Sequence, residues 1–121
     1  MKTFAVLALS VAFLAGCSAT PYHEGYGESR LSQTVFRIST VANGYSEIGR
    51  EDDIAMLRAA EIACMTGHQS FDVINEQREQ QGQISYKYLT IELKEDGGRY
   101  DARMIMRGLK AKLNTDTECS F

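Results

Sequence analysis

Three short segments of the chain have the hydrophobic pattern of β-strands. Apolar and polar side chains alternate over residues 34–40. The segment 71–74 is short and mostly apolar, and the segment 84–93 is a longer run with many apolar residues. Alternation of this kind is typical of a strand with one buried face. The apolar phase of the third segment switches between Tyr88 and Leu89, so we expect either a bulge there or cover on both faces.

Residues 54–65 are apolar on almost every side, which predicts a helix at the centre of a core. Arg58 and Glu61 are the two charged exceptions, and one helical turn separates them, so they can pair. The acidic residues 51–53 suit the helix N-terminus, and Gly67 is placed to end the helix. A stripe of small residues, suited to close packing on a sheet, runs along it: Ala55, Ala59 and Ala63.

The segment 100–113 fits two patterns. As a strand, it would alternate through Tyr100, Ala102, Met104 and Met106; as a helix, it would bury Ala102, Ile105, Met106, Leu109 and Leu113. We favour the helix, because Asp101 is a good N-cap and Asn114 can end it.

These elements predict an α+β domain over residues 33–121, in the order β-α-β-β-α. Two helices would cover one face of a small antiparallel or mixed sheet. Residues 75–83 are polar, and we expect them to connect the second and third strands.

The remaining apolar block, residues 4–15, lies outside this pattern. It follows Lys2 and is twelve residues long, so a helix of this length would span about 18 Å, short of a hydrocarbon core of roughly 30 Å. Residues 1–16 therefore have the properties of a signal peptide rather than of a membrane span.

The block ends in Leu14-Ala15-Gly16-Cys17, which resembles the lipobox of bacterial lipoproteins at all four positions. The resemblance implies cleavage before Cys17, a diacylglycerol on its thiol and an N-acyl lipid on its new amino group. The bilayer is then the first expected partner, and no other cofactor is expected. Ser18 in place of aspartate resembles an outer-membrane address facing the periplasm. The alternative is a plain secreted protein cut near Ala19.

Residues 17–32 carry glycines, one proline and no apolar period, so we expect a lipidated N-terminus followed by a tether. A flexible segment of about thirteen residues has an r.m.s. reach of roughly 20 Å. The alternative is that Tyr22 and Tyr26 pack on the domain and order part of this segment.

Composition excludes several classes of function. Thirteen basic and sixteen acidic residues give a net charge of −3, which becomes −4 once the leader with Lys2 is removed, so nucleic-acid binding is not expected. No phosphate loop, nucleophile elbow or zinc motif is present in the sequence. His23 and His68 have no ligand spacing between them, and we predict neither a metal site nor catalytic residues.

Two cysteines remain after Cys17 is lipidated. Cys64 and Cys119 form an even pair in an oxidising compartment, so we predict a disulfide between them. Two separate thiols, with Cys64 as a buried small side chain, are the alternative.

Basic residues concentrate near the C-terminus, at positions 99, 103, 107, 110 and 112. If this segment is helical, Arg103, Arg107 and Lys110 lie near one another on the side away from the core. A solvated helix face explains them simply. The functional interpretation is contact with anionic lipid or an acidic envelope protein.

The stretch 57–63 (LRAAEIA), followed by Gly67, Phe71 and Val73, resembles a family of small lipoproteins of Gram-negative bacteria. The resemblance implies a compact α+β domain and no activity. We therefore expect a non-enzymatic, membrane-anchored lipoprotein whose periplasmic domain binds or senses an envelope component. A structural accessory subunit of an envelope complex is the alternative, and a small periplasmic hydrolase is a third.

Overall fold

Five strands and two helices are found in a computed structural model that describes residues 21–119. The strands are β1 (Tyr26–Arg30), β2 (Val35–Ala42), β3 (Ser70–Gln81), β4 (Ile84–Lys94) and β5 (Tyr100–Asp101). The helices are α1 (Arg50–Met65) and α2 (Ala102–Leu109), and a 3-10 turn covers Tyr22–Glu24. The predicted leader 1–16 and the lipidation site Cys17 lie outside the described residues.

The strands form one antiparallel sheet in the order β1-β2-β4-β3-β5. This confirms the predicted α+β class. The predicted element order was incomplete, because β1 adds a strand before the first predicted one and β5 adds two residues before α2. The observed order is β-β-α-β-β-β-α.

Helix α1 packs across β2, β4 and β3, and α2 packs beside α1. The predicted stripe of alanines at 55, 59 and 63 is completely buried. The helix ends as predicted at Gly67, whose φ is +77°. The His68 N–H donates to the Ala63 carbonyl and the Gly67 N–H to that of Cys64, which together form a Schellman cap.

The polar stretch 75–81 is part of β3, so the prediction of a connection there was wrong. These residues pair in register with β4 down to Gln81 opposite Ile84, and their side chains are exposed. The interstrand hydrogen bonds of a long hairpin satisfy the backbone without an apolar face, which is why the hydrophobic pattern does not reveal this strand.

The phase switch in β4 also has a different cause from the two expected. Alternate residues of β4 are buried without interruption, from Lys87 through Leu89 to Leu93. Lys87 occupies an inward position and is 8% exposed, while Tyr86 and Tyr88 lie on the opposite face. The bulge lies in β3, between Val73 and Asn75.

Residues 22–30 are ordered and pack on the domain, which is the alternative to a flexible tether for this part of the segment. Tyr22 is 2% exposed and contacts the ring of Tyr26, with centroids 5.1 Å apart. β1 then pairs along β2 from Tyr26 opposite Thr40 to Arg30 opposite Phe36. Within residues 21–119, no helix is both long and apolar enough to cross a bilayer.

Candidate anion-binding groove

A groove of about 360 Å³ lies between α2 and the C-terminal end of the described chain. Arg103, Arg107 and Lys110 line one wall, so the structure brings together the three residues predicted to contact an anion. The remaining lining residues are Met106 and the segment 117–119.

Helix α2 presents these cations because its opposite side is anchored in the core. Ala102 and Met106 are buried, which leaves Arg103 and Arg107 exposed on the other side. The helix begins as predicted, since the Asp101 carboxylate accepts a hydrogen bond of 3.0 Å from the Met104 N–H.

Helix α2 is shorter than the predicted segment. It ends at Leu109, and turns continue the chain to Asn114, whose φ is +53°. The Thr115 N–H donates to the Lys110 carbonyl at 2.8 Å and closes the last turn. Leu113 is still buried, because these turns carry it back to the core.

The two remaining cysteines meet where the second wall of the groove contacts α1. Cys64 and Cys119 lie at disulfide-bonding distance, with Cα atoms 5.3 Å apart. The sulfur of Met106 lies 3.4 Å from the sulfur of Cys64 and 3.3 Å from that of Cys119. The two cysteines therefore lie close enough for the predicted disulfide, and such a bond would hold residues 117–119 against α2.

The groove is positively charged but not uniformly so. Its lining carries three cations and one anion, Glu118, which pairs with Lys110 at 3.4 Å. The Glu118 side chain is 74% exposed, so water screens this pair strongly.

The other two basic residues of the predicted cluster lie apart from the groove. Lys112 pairs with Asp53 at 2.7 Å, and Arg99 lies over the ring of Tyr100.

A buried carboxylate, Glu61, connects the groove to the N-terminal segment. It accepts a hydrogen bond from the Tyr22 hydroxyl and another from the side chain of Thr117, which also lines the groove. Burial raises the pKa of Glu61, and the Thr117 hydrogen bond offsets only part of that effect. The predicted pair with Arg58 is confirmed, with a closest N–O distance of 3.7 Å.

Arg58 joins strand β1 to α1. Its guanidinium lies 4.7 Å from the centre of the Tyr26 ring and donates from Nε to Glu28 at 2.6 Å. The exposed strand β1 is therefore held to the helix by a cation–π contact and an ion pair as well as by the sheet.

A second charge cluster links the start of α1 to β3 and β4. Arg78 contacts Glu51 at 2.9 Å and Asp52 at 2.6 Å, and Lys87 contacts Asp52 at 3.0 Å and Glu76 at 3.1 Å. Burial alone would raise the pKa of Asp52, but the hydrogen bonds from Arg78 and Lys87 lower it below its usual range. This cluster was not predicted from the sequence. The available signal was the position of Lys87, which is in phase with the buried apolar residues Leu89, Ile91 and Leu93 of β4.

A larger opening of about 630 Å³ lies beside this cluster, between the loop after β2 and the β3–β4 turn. Its charged lining residues are Glu47, Glu51, Asp52 and Arg78, and Arg78 pairs with both Glu51 and Asp52. Because these ion pairs join α1 to β3 and β4, the cluster is best explained as a structural bridge.

The two histidines contact different parts of the structure. The ring of His23 contacts that of Tyr22 in the 3-10 turn, and the His68 Nδ1 lies 2.9 Å from the hydroxyl of Thr66 after α1. In the described part of the chain, no group of three or more side chains of the metal-binding types comes together.

No protein-family model matches this chain significantly, and neither does any curated protein or solved structure. The likeness to small lipoproteins therefore rests on its motif residues alone. The chemistry of the groove is the basis on which a function can be argued.

Proposed function

We propose that this chain is a lipid-anchored, non-enzymatic protein of the bacterial envelope whose periplasmic domain binds an anionic envelope component in the α2 groove. The observation that carries the binding function is the arrangement of Arg103, Arg107 and Lys110 along one groove wall. The lipobox-like residues ending at Cys17 support the anchoring half.

The groove suits phosphate or carboxylate groups for a chemical reason. A guanidinium presents parallel N–H donors that match the oxygen pair of such a group, and an ammonium adds a mobile point charge. Two arginines one turn apart, with a lysine beyond them, can contact one or two such groups at once. The competing carboxylate, Glu118, is exposed and can turn away from Lys110 at small cost.

The binding function can be tested with the full mature chain carrying Cys17→Ala, so that no acyl chain contributes to membrane affinity. Sedimentation with vesicles containing anionic lipid measures the affinity of this protein and of its Arg103→Glu/Arg107→Glu variant. We expect the variant to bind at least about 30-fold more weakly, since each basic residue near an anionic surface contributes about 1 kcal/mol.

A matched control is Arg37→Glu/Lys94→Glu. It changes the net charge equally but on the sheet face away from the helices. This control should bind nearly as well as the parent. Equal binding by all three proteins, or equal loss in both variants, would contradict a specific groove.

The anchoring half has its own test. The intact mass of the protein purified from a bacterial membrane should equal that of the chain from Cys17 onward plus the acyl groups. Cys17→Ala should abolish this modification and release the protein from the membrane fraction. An unmodified Cys17 would overturn the proposed anchor.

A second candidate is an accessory subunit of an envelope complex. The observation that favours it is the free edge of β1, which pairs only with β2 within residues 21–119 and leaves residues 27–30 exposed. An extended segment of a partner could add to such an edge. A photo-crosslinking residue at Ser29 would capture a protein partner in cells if this candidate is correct, whereas one at Met104 would do so less efficiently.

A further inference from the structure

The fold leaves a short chain between the proposed lipid and the domain. Tyr22 is 2% exposed, and its hydroxyl is bound to Glu61 of α1, so the chain is fixed to the domain at this residue. Cys17 precedes Tyr22 by five residues, which span at most about 18 Å when fully extended. The headgroup layer of a leaflet takes up about 6 Å of that length.

This length is small beside the domain itself. A domain of about 100 residues has a radius of gyration of about 13 Å. With roughly 12 Å of chain outside the headgroups, the domain cannot turn freely above the bilayer. The surface near Tyr22 must stay close to the membrane, in contrast to the 20 Å reach that a tether of thirteen residues would allow.

The α2 groove lies on the same side of the molecule as Tyr22. Glu61, on α1, accepts hydrogen bonds from both Tyr22 and Thr117, and Thr117 lines the groove. Two hydrogen bonds to one carboxylate therefore connect the start of the packed chain to the groove wall. The face of the sheet away from the helices carries Tyr86 and Tyr88.

Charge gives this arrangement a preferred orientation. The chain without its leader has a net charge of −4, so an anionic bilayer repels most of its surface. The groove lining, with three cations and one anion, is a region that such a bilayer attracts. The short chain and the local charge thus act in the same direction.

We infer that the α2 groove binds phosphate groups of anionic lipids in the same bilayer that holds Cys17, and that the Tyr22–Glu61 contact keeps the groove at that surface. This inference rests on the proposed function. It adds the partner, which is lipid headgroups of the protein's own membrane, and the orientation, in which the open sheet face is turned toward the periplasm.

The test uses the full lipidated protein in vesicles with and without anionic lipid. A fluorescent non-natural residue replaces Met104, on α2, or Gln77, on the opposite sheet face, and headgroup-labelled lipid quenches it. We expect at least threefold stronger quenching at position 104 than at position 77. Equal quenching at the two positions, or stronger quenching at position 77, would overturn the orientation.

A second experiment distinguishes the effect of the short chain from the effect of the groove charges. Fifteen glycine and serine residues inserted between Thr20 and Pro21 should abolish quenching at position 104 in neutral vesicles and preserve it in anionic ones. Adding Arg103→Glu/Arg107→Glu to the insertion should abolish it in both. Quenching in neutral vesicles that survives the insertion would contradict the role of the short chain.

The outcomes distinguish the two proposals. If the acyl-free chain binds anionic vesicles through the groove but position 104 is not preferentially quenched in the lipidated protein, the proposed function stands and the inference fails. If the acyl-free chain binds glycerol phosphate in solution but not vesicles, the groove takes a soluble anion and the inference fails again. If it binds neither, the proposed function fails.

Discussion

The Tyr22 hydroxyl donates a hydrogen bond to Oε1 of Glu61, which lies 39 positions further along the chain. This contact joins the N-terminal segment to the middle of α1 at a place where both side chains are buried. It makes the first described residues part of the domain rather than part of a tether. It also provides a hydrogen-bond donor to a carboxylate that lies in a largely apolar core.

Removing the Tyr22 hydroxyl should destabilise the fold. Tyr22→Phe leaves a buried acceptor on Glu61 with one partner fewer, which costs about 1–3 kcal/mol. Urea unfolding followed by circular dichroism measures this change. The matched control is Tyr45→Phe, because Tyr45 is 69% exposed. Equal stability of the two variants would show that the hydroxyl of Tyr22 adds nothing.

Glu61 should make stability fall as the pH rises from acidic values. Because burial raises its pKa, the folded state keeps the proton at a pH where the unfolded chain has lost it. Its contribution is therefore fully present below the unfolded pKa of about 4.3, and is lost as the pH rises through the folded pKa.

Replacing Glu61 with glutamine should remove that dependence. The Glu61→Gln side chain still accepts from Tyr22, and it does not ionise. The slope of unfolding free energy between pH 4 and 7 should become flatter than in the parent. The matched control is Glu118→Gln, which removes a carboxylate whose side chain is 74% exposed. A parent and a Glu61→Gln variant with parallel pH profiles would refute the assignment.

Asp52 should change the pH dependence of stability in the opposite direction to Glu61. Its pKa is lowered because the hydrogen bonds from Arg78 and Lys87 outweigh the effect of burial. The stability it provides is present above the unfolded pKa of about 3.9 and is lost as the pH falls through the folded pKa. Asp52→Asn should therefore destabilise the protein at pH 7 by about 1–3 kcal/mol, and by much less at pH 2. Asp96→Asn, at an exposed loop position, should have little effect at either pH.

Breaking the Cys64–Cys119 link should lower stability substantially. The bond would close a separation of 55 residues, for which chain entropy predicts about 4 kcal/mol. Reductant should lower the melting temperature of a Cys17→Ala protein, whereas Cys64→Ala/Cys119→Ala should melt at a low temperature that reductant does not change. Rapid alkylation of both cysteines in untreated protein would contradict the bond.

Gly108 is a position where the native residue weakens the fold. It lies within α2, and an added Cβ meets no atom within 4 Å, so Gly108→Ala should stabilise the protein by about 0.5–1 kcal/mol. Gly98→Ala is the matched contrast. There an added Cβ would lie 2.7 Å from the Ser70 hydroxyl and 2.9 Å from the Phe71 nitrogen, so the same substitution should destabilise.

Much of the fold could be predicted where one local pattern dominates. The alternation in β2, the apolar surface of α1 and the cap at Asp101 each depend on residues that are near in sequence. β1 and the outer half of β3 were not predicted as strands. Their side chains are mostly exposed, and their strand conformation depends on hydrogen bonds to β2 and β4.

The candidate groove was predictable only in part. The i, i+4, i+7 spacing of Arg103, Arg107 and Lys110 places them on one helix face by geometry alone. The second wall could not be inferred, since residues 117–119 carry no periodic pattern and reach α2 through Cys64 and Glu61. The charge cluster around Lys87 was missed for the same reason, because its other four members come from two other segments, residues 51–52 and 76–78.

By itself, the sequence determined the α+β class, the central helix and the three cations that face one way. These properties follow from the spacing of side chains along the chain and from their count. Only the tertiary structure decided that Tyr22 packs on the domain, which charges pair across α1, β3 and β4, and which segment forms the second wall of the groove. Those outcomes depend on contacts between segments far apart in sequence, and their free energies arise only when the sheet and helices pack together.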